Sequence, residues 1–239
     1  MTHGGSQVPL LRTGCHECAY VSGRTARLEF IAPSTPLGER RYRLLLEQGF
    51  RRSGPYVYRP ACPACSACQS LRLPVARFRP RRRHRRCQRD NADLHVTPRR
   101  PVVTAEQLSL YQRYLEHRHP GSSMADPDSE EAQGFFTAPW CATTVFYEFR
   151  ATPEGPLLAL AVTDILPGAL SAVYTLYAPE AERRGLGNLA VLWQISEARR
   201  LGARHLYLGY WIPDAPAMAY KAGYRPHEVY DGRTWREVE

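Results

Sequence analysis

Thr143-Thr144-Val145-Phe146-Tyr147-Glu148-Phe149-Arg150, then Leu157-Leu158-Ala159-Leu160-Ala161-Val162-Thr163, then Leu170-Ser171-Ala172-Val173-Tyr174-Thr175-Leu176-Tyr177, are the runs on which the fold turns. Each is rich in Val, Leu, Tyr and Phe, side chains that fit a pleated, half-buried surface. They are separated by Thr152-Pro153-Glu154-Gly155-Pro156 and Pro167-Gly168, whose Pro and Gly interrupt regular structure. Three such strands joined by short turns read as an antiparallel meander. Gly185-Leu186-Gly187 then opens an apolar helix over 188–201, closed by Gly202, and a further strand follows over 205–209.

Upstream, Thr104 can cap a helix whose third position is Gln107, placing Leu108, Tyr111 and Leu115 on one face before Pro120-Gly121 ends it. A short helix or turn is expected over 134–139. At Thr97-Pro98-Arg99-Arg100-Pro101 two prolines and a charge pair interrupt any element, so a domain boundary is expected there, dividing the chain into 1–100 and 101–239. The first part reads as a compact basic module. It holds a short strand over 28–31, a helix over 41–48 stopped by Gly49, and strands and turns between Pro55 and Pro80, with Leu71, Leu73 and Val75 alternating against Arg72 and Pro74. The first twelve residues show no periodicity and read as a frayed lead-in.

The 239 residues suffice for one large domain or two modest ones. No apolar run approaches the length of a membrane span, and the start lacks the basic-then-apolar order of a signal peptide, so a cytoplasmic protein is expected. Seven cysteines in such a chain do not suggest a disulfide framework. Five form two tight groups, Cys15/Cys18 and Cys62/Cys65/Cys68, in which thiols two residues apart can share a tetrahedral metal; a structural zinc needs four. The other reading is that these are small buried residues. Cys87 and Cys141 stand alone and read as plain core or surface residues.

The net charge is +9, and of the 32 basic side chains all but Lys221 are arginine. The excess is concentrated between Arg51 and Arg100, including Arg81-Arg82-Arg83-His84-Arg85-Arg86, a density that reads as a footprint for the phosphates of nucleic acid. Such contacts carry no base readout. A solvated charge run is the plain alternative. In Glu182-Arg183-Arg184-Gly185-Leu186-Gly187 the glycines would let backbone N–H groups approach a diphosphate at a helix start, or serve packing alone.

In their order along the chain, these motifs resemble the bacterial aspartate/glutamate leucyltransferases, relatives of the arginyl-tRNA–protein transferases. The resemblance runs from Cys18-Ala19-Tyr20-Val21-Ser22-Gly23-Arg24 through Gly49-Phe50-Arg51-Arg52-Ser53-Gly54, Tyr58-Arg59-Pro60 and Leu71-Arg72-Leu73-Pro74-Val75 to Asn91-Ala92-Asp93-Leu94. It continues with His119-Pro120-Gly121-Ser122-Ser123-Met124, Asp164, Ser171-Ala172-Val173-Tyr174, Tyr207-Leu208-Gly209-Tyr210-Trp211-Ile212 and Tyr220-Lys221-Ala222-Gly223-Tyr224-Arg225-Pro226. Cys15 is an addition to the family pattern and adds to the case for a metal. The resemblance implies an α+β protein in which the basic cysteine-containing module precedes a mixed-sheet domain like that of the acyl-CoA N-acetyltransferases (GNAT).

The resemblance further implies transfer of leucine from leucyl-tRNA to the N-terminal amine of proteins beginning with Asp or Glu, marking them for N-degron degradation. The reaction is aminolysis of an ester that is already activated, by an amine with a pKa of about 8, so it calls for no strong base, covalent nucleophile or cofactor. Lys221, Tyr174 and Asp164 are the expected catalytic groups, Lys221 acting by its charge. Arg51, Arg52, Arg82, Arg83, Arg85, Arg184, Gly185, Gly187 and Arg225 are expected to bind substrate or tRNA. Cys15, Cys18, Cys62, Cys65 and Cys68 are the expected ligands of a structural zinc or, since related eukaryotic enzymes place cysteines nearby, of an iron–sulfur cluster. The alternatives are an arginyl donor, an acyl-CoA N-acetyltransferase, and a non-catalytic zinc RNA-binding protein.

Overall fold

Fourteen strands and five helices are built from these patterns in a computed structural model that describes residues 8–120 and 126–238. The strands are β1 (Leu10–Arg12), β2 (His16–Glu17), β3 (Thr25–Ala26), β4 (Leu28–Ile31), β5 (Arg51–Ser53), β6 (Tyr56–Pro60), β7 (Gln69–Pro74), β8 (His95–Arg99), β9 (Thr144–Arg150), β10 (Leu157–Leu166), β11 (Ala169–Tyr177), β12 (His205–Trp211), β13 (His227–Tyr230) and β14 (Trp235–Val238). The helices are α1 (Glu39–Glu47), α2 (Arg82–Arg89), α3 (Ala105–Arg118), α4 (Ser129–Phe136) and α5 (Leu186–Arg200). Residues 1–7 of the expected lead-in, and Gly121-Ser122-Ser123-Met124 of the motif that starts at His119, lie outside the described residues.

The expected meander is present as β9, β10 and β11, each antiparallel to the next. β10 is buried over most of its length, with α1, α3 and α5 packed on it, which is why it reads as a continuous apolar run. After β11 the chain crosses over through α5 and returns as β12 parallel to β11. The whole sheet has eight strands in the order β14-β13-β7-β12-β11-β10-β9-β8. The mixed α+β sheet expected from the resemblance is therefore the one observed. The Thr104 cap also forms as expected, its hydroxyl accepting from Gln107 N–H and the Gln107 side chain accepting from Thr104 N–H.

The division expected at residue 100 is not a division of this sheet. β7 pairs with β12 on one side and β13 on the other, and β8 forms the edge beside β9. Leu71, Leu73, Val75 and Phe78 share a core with Val191, Ile195, Leu206 and Val229. Turn signals report local breaks in regularity, whereas sheet membership depends on distant partners. Arg72 illustrates the difference: on the central β7 it is buried, pairing with Glu47 and Glu228 and donating to the Tyr207 hydroxyl.

A second, four-stranded antiparallel sheet, β1-β4-β6-β5, is joined to the first through Ile31, Tyr42, Leu46, Phe50 and Val57, which pack with Leu166, Ala169 and Tyr207. The polar tie between the sheets is Arg52 on β5 with Asp164 on β10. Arg52 Nε donates to Asp164 Oδ2 at 2.6 Å and Nη2 to Oδ1 at 2.7 Å, with both side chains 0% exposed. Thr144 Oγ1 donates to the same carboxylate at 2.7 Å, Arg52 Nη2 also reaches Phe136 O at 3.0 Å, and the Tyr42 hydroxyl accepts from Arg52 N–H.

Removing one member of a buried pair strands the other charge without solvent. Arg52→Met or Asp164→Leu is expected to lower stability by about 3–5 kcal/mol, while the double replacement recovers a good part of the loss. Urea unfolding of the three variants measures this. Single losses below about 1 kcal/mol would show that the pair does not hold the sheets together.

Candidate active site

The parallel pairing of β11 with β12 is short, running only from Ala169 opposite His205 to Ser171 opposite Tyr207. Beyond it the two strands continue without pairing, and a cavity of about 460 Å³ opens at their C-terminal ends. Ligands of open α/β sheets gather at such ends. Ala172 to Thr175 of β11, Leu208 of β12 and the start of α5, Gly185 to Asn188, line it. Gly185 has φ +66°, which permits the sharp entry into α5. The first N–H groups of a helix have no partner one turn back, so this wall offers backbone donors to an anion or a carbonyl oxygen.

Arg51 enters the cavity from β5. Successive residues of a strand point to opposite sides, so the burial of Arg52 on Asp164 directs Arg51 away from that pair. Its guanidinium lies beside Gly209, where a Cβ would come within 3.2 Å of Arg51 Nη1, and 5.8 Å from the centre of the Tyr210 ring. Gly209 itself has φ +71° and sits where the β12–β7 register shifts between Tyr207 and Tyr210. Lys221 comes from the 3-10 turn Pro216–Gly223. It is 8% exposed and donates through Nζ to Tyr210 O at 2.5 Å. Neither Arg51 nor Lys221 is ion-paired with a carboxylate among the described residues. Burial, with the Arg51 charge added, pushes the Lys221 ammonium down to about 7. Tyr174 lines the same wall, and burial followed by its neighbours Tyr114 and Tyr111 pushes its phenol well up, leaving it a hydrogen-bond donor at any physiological pH.

Of the residues expected from sequence, the structure thus brings together Lys221, Tyr174, Arg51, Gly185 and Gly187. Arg52 and Asp164 are corrections: each is consumed by the other in the interior and neither lines the cavity. Arg184 turns to the far side of the glycine turn, where it donates to Asn91 Oδ1 at 2.9 Å and pairs with Asp93, clamping that turn to the segment after α2. Arg225 donates to Ala222 O within its own loop. Tyr114 and Arg118 at the end of α3, with Tyr220 and Asn188, also line the cavity and escaped the sequence reading. Tyr114 is three residues beyond Tyr111, and that spacing was its only signal.

The arginine run forms α2. Arg82, Arg83, Arg85, Arg86 and Arg89 are exposed and, with Asp90, surround an open depression, whereas His84 is buried. His84 stacks on Tyr224 with ring centres 5.0 Å apart, and the Tyr224 hydroxyl donates to Asn188 Oδ1 at 2.8 Å. Burial, then the charges of Arg83 and Arg81, pushes His84 down to about 4, so the ring packs neutral. The Arg83 guanidinium lies flat against Gly223, leaving no room there for a Cβ. The basic helix is therefore docked onto the loop that carries Lys221.

Cys18, Cys62, Cys65 and Cys68 line a second cavity, of about 440 Å³, together with Arg12, Arg24, Arg27 and Arg59. Cys15, expected to join them, is exposed and not part of that wall. Burial, then the neighbouring thiols Cys62, Cys18 and Cys65, pushes the Cys68 thiol up to about 11. In number and chemistry four thiols fit a four-coordinate site. Among the described residues no three His, Cys, Asp or Glu side chains already stand as a ligand group, so binding would draw Cys18 and the 62–68 loop together. No helix of the described residues is long and apolar enough to cross a membrane.

Models of the arginine-tRNA-protein transferase N terminus and C terminus match residues 16–86 and 106–231. An aspartate/glutamate leucyltransferase of Halorhodospira halophila is 75% identical over 98% of this chain and 99% of its own length. A leucyltransferase of the same description from Alkalilimnicola ehrlichii is 50% identical over 97% and 96%, respectively. Among solved structures, FemX superposes with a TM-score of 0.50 over 90% of this chain and 84% of its own, at 11% identity, a likeness of fold alone.

The exposed face of α2 is expected to bind polyanions through counterion release. Arg82→Ala with Arg85→Ala, which spares the packed Arg83, should weaken RNA binding and reduce the slope of log K against log salt by about 1–2. Filter binding at several salt concentrations measures it. An unchanged slope would take the helix out of the interface.

Proposed function

The chain belongs to the arginine-tRNA–protein transferase family, and from that membership we propose that it moves leucine from leucyl-tRNA onto the α-amine of proteins that begin with Asp or Glu, feeding an N-degron pathway in the cytoplasm. The observation that carries this reading is the 75% identity to an aspartate/glutamate leucyltransferase along almost the whole of both chains.

The cavity between β11 and β12 supports it chemically. The leucyl ester is activated already, so the protein's part is to hold two ends together and to meet the charge that develops. Arg51, a fixed cation with no acidic partner of its own among the described residues, suits the side-chain carboxylate of an N-terminal Asp or Glu. The phenol of Tyr174 and the first N–H groups of α5 suit the oxyanion of the tetrahedral intermediate. The basic face of α2, docked beside the same loop through His84 and Tyr224, suits the tRNA backbone. Chemistry of this kind requires no cofactor. The thiols of Cys18, Cys62, Cys65 and Cys68 are proposed to hold a structural metal.

Transfer of radiolabelled Leu or Arg from charged tRNA to peptides starting with Asp, Glu, Lys or Arg tests the reaction. Leucine on the Asp and Glu peptides alone is expected. Arginine transfer would reassign the donor, and no transfer together with coenzyme A binding in calorimetry would move the chain to the acyl-CoA enzymes.

Elemental analysis of protein purified reduced and without oxygen tests the metal. About one equivalent of zinc or iron, lost in Cys65→Ser together with several kcal/mol of stability, is expected. Metal below about 0.1 equivalent would assign the thiols to packing.

A further inference from the structure

The reaction leaves a proton to be placed, and of the titratable side chains on the cavity wall Lys221 is the buried one, whereas His119 and Glu182 are exposed. We propose that Lys221 is the general base of the transfer, accepting the proton of the attacking α-amine and returning it to the leaving ribose oxygen. This rests on the aminoacyl-transfer reading above and gives Lys221 a different task from the fixed charge expected from sequence.

Three observations carry it. First, Lys221 is buried and, among the described residues, has a single hydrogen-bond partner, the carbonyl oxygen of Tyr210 at 2.5 Å, with no carboxylate to offset its charge. A neutral amine makes that hydrogen bond with one N–H and still has its lone pair, whereas an ammonium would have two further N–H groups to satisfy. Second, the charged and titratable groups around it do not favour the cation. Arg51 from β5 shares the cavity wall, Arg118 and His119 close it from α3, and Arg83 of α2 lies against Gly223, two residues away. The one carboxylate on the wall, Glu182, is exposed and faces His117 at 3.5 Å. Third, of the three cations on the cavity wall the two guanidiniums, Arg51 and Arg118, cannot give up a proton, so the amine yields. The lowered proton affinity of Lys221, caused by burial and then Arg51, agrees with this geometry.

The step balances. The acceptor nitrogen enters neutral and forms a C–N bond to the leucyl carbonyl carbon. As the tetrahedral intermediate forms, its extra proton passes to Lys221 Nζ. The C–O bond to the ribose then breaks, and the proton passes from the ammonium to that oxygen. The lysine returns to the neutral amine, and no oxidant or further reactant is needed. A base of near-neutral pKa suits both transfers, since it must accept and donate within one turnover.

Because Lys221 is the only lysine in the chain, its protonation can be read in the folded wild type. Protein grown on lysine carrying ¹⁵N at Nζ will show one such signal, and its titration midpoint is expected near 7. A midpoint near the ordinary value of about 10.4 would overturn the proposal whatever the donor proves to be. Transfer is then followed against pH with saturating leucyl-tRNA and Asp-starting peptide. Wild-type kcat should rise through two ionisations, that of Lys221 and that of the acceptor amine. Lys221→Met and Lys221→Arg should each lose about a hundredfold in kcat and keep only the acceptor's ionisation. Recovery of the rate by Lys221→Arg would mean that charge suffices and would overturn the assignment, as would a two-step profile retained by Lys221→Met. Wild-type protein that transfers no leucine to Asp or Glu peptides would instead refute the leucyltransferase reading, leaving the ¹⁵N midpoint to decide the state of Lys221.

Discussion

The buried pair of Arg52 with Asp164 is the constraint on which the rest of the arrangement depends. Both charges are removed from water, so the geometry must be satisfied in full, and it is, with two guanidinium donors and the Thr144 hydroxyl on one carboxylate. This fixes the position and rotation of β5 against β10. A strand fixed in rotation has its next side chain fixed as well, on the opposite side. Arg51 is thereby held in the cavity by an interaction in which it takes no part. The motif Arg51-Arg52 is thus one buried anchor and one residue that lines the cavity, although the two are chemically identical.

The cavity owes its existence to incomplete pairing. β11 and β12 hold together over three residues and then part, and the space between them is walled by aromatic rings and by the first turn of α5. Burial of Lys221 and Tyr174 on this wall disfavours their charged forms, lowering the proton affinity of the amine and raising that of the phenol. Tyr174 stays a donor and Lys221 is eased toward a neutral amine, and these are the two states that an ester aminolysis uses. The same burial that makes Lys221 a poor cation leaves Arg51 and Arg118 as the fixed charges of the wall.

The two halves of the chain are interleaved. β7 supplies the strand between β12 and β13, and α2 docks on the loop after β12 through His84 and Tyr224. The basic helix and the reactive loop are consequently parts of one packed unit. Tyr224, on which His84 of α2 stacks, reaches the cavity wall through its hydroxyl, which donates to Asn188 Oδ1.

The sequence by itself determined what depends on near neighbours. The meander, the glycine entry to α5, the Thr104 cap and the arginine density of α2 were legible because periodicity, turn chemistry and charge are local properties. The match of ordered motifs also made the family legible from residues alone. Which arginine faces the cavity and which the interior was not legible, since Arg51 and Arg52 differ only in the partner that folding brings to them across more than a hundred residues. The same holds for Asp164, whose partner took it out of the site, and for Arg184, drawn away to Asn91 and Asp93. Cys15 parted from the other four thiols because two-residue spacing brings thiols near each other only within a loop, and the loops' positions are set by the sheets. Tertiary structure alone decided the state of Lys221, because a lysine's proton affinity is set by the solvent it loses and the charges it meets, and neither is written in its flanking residues.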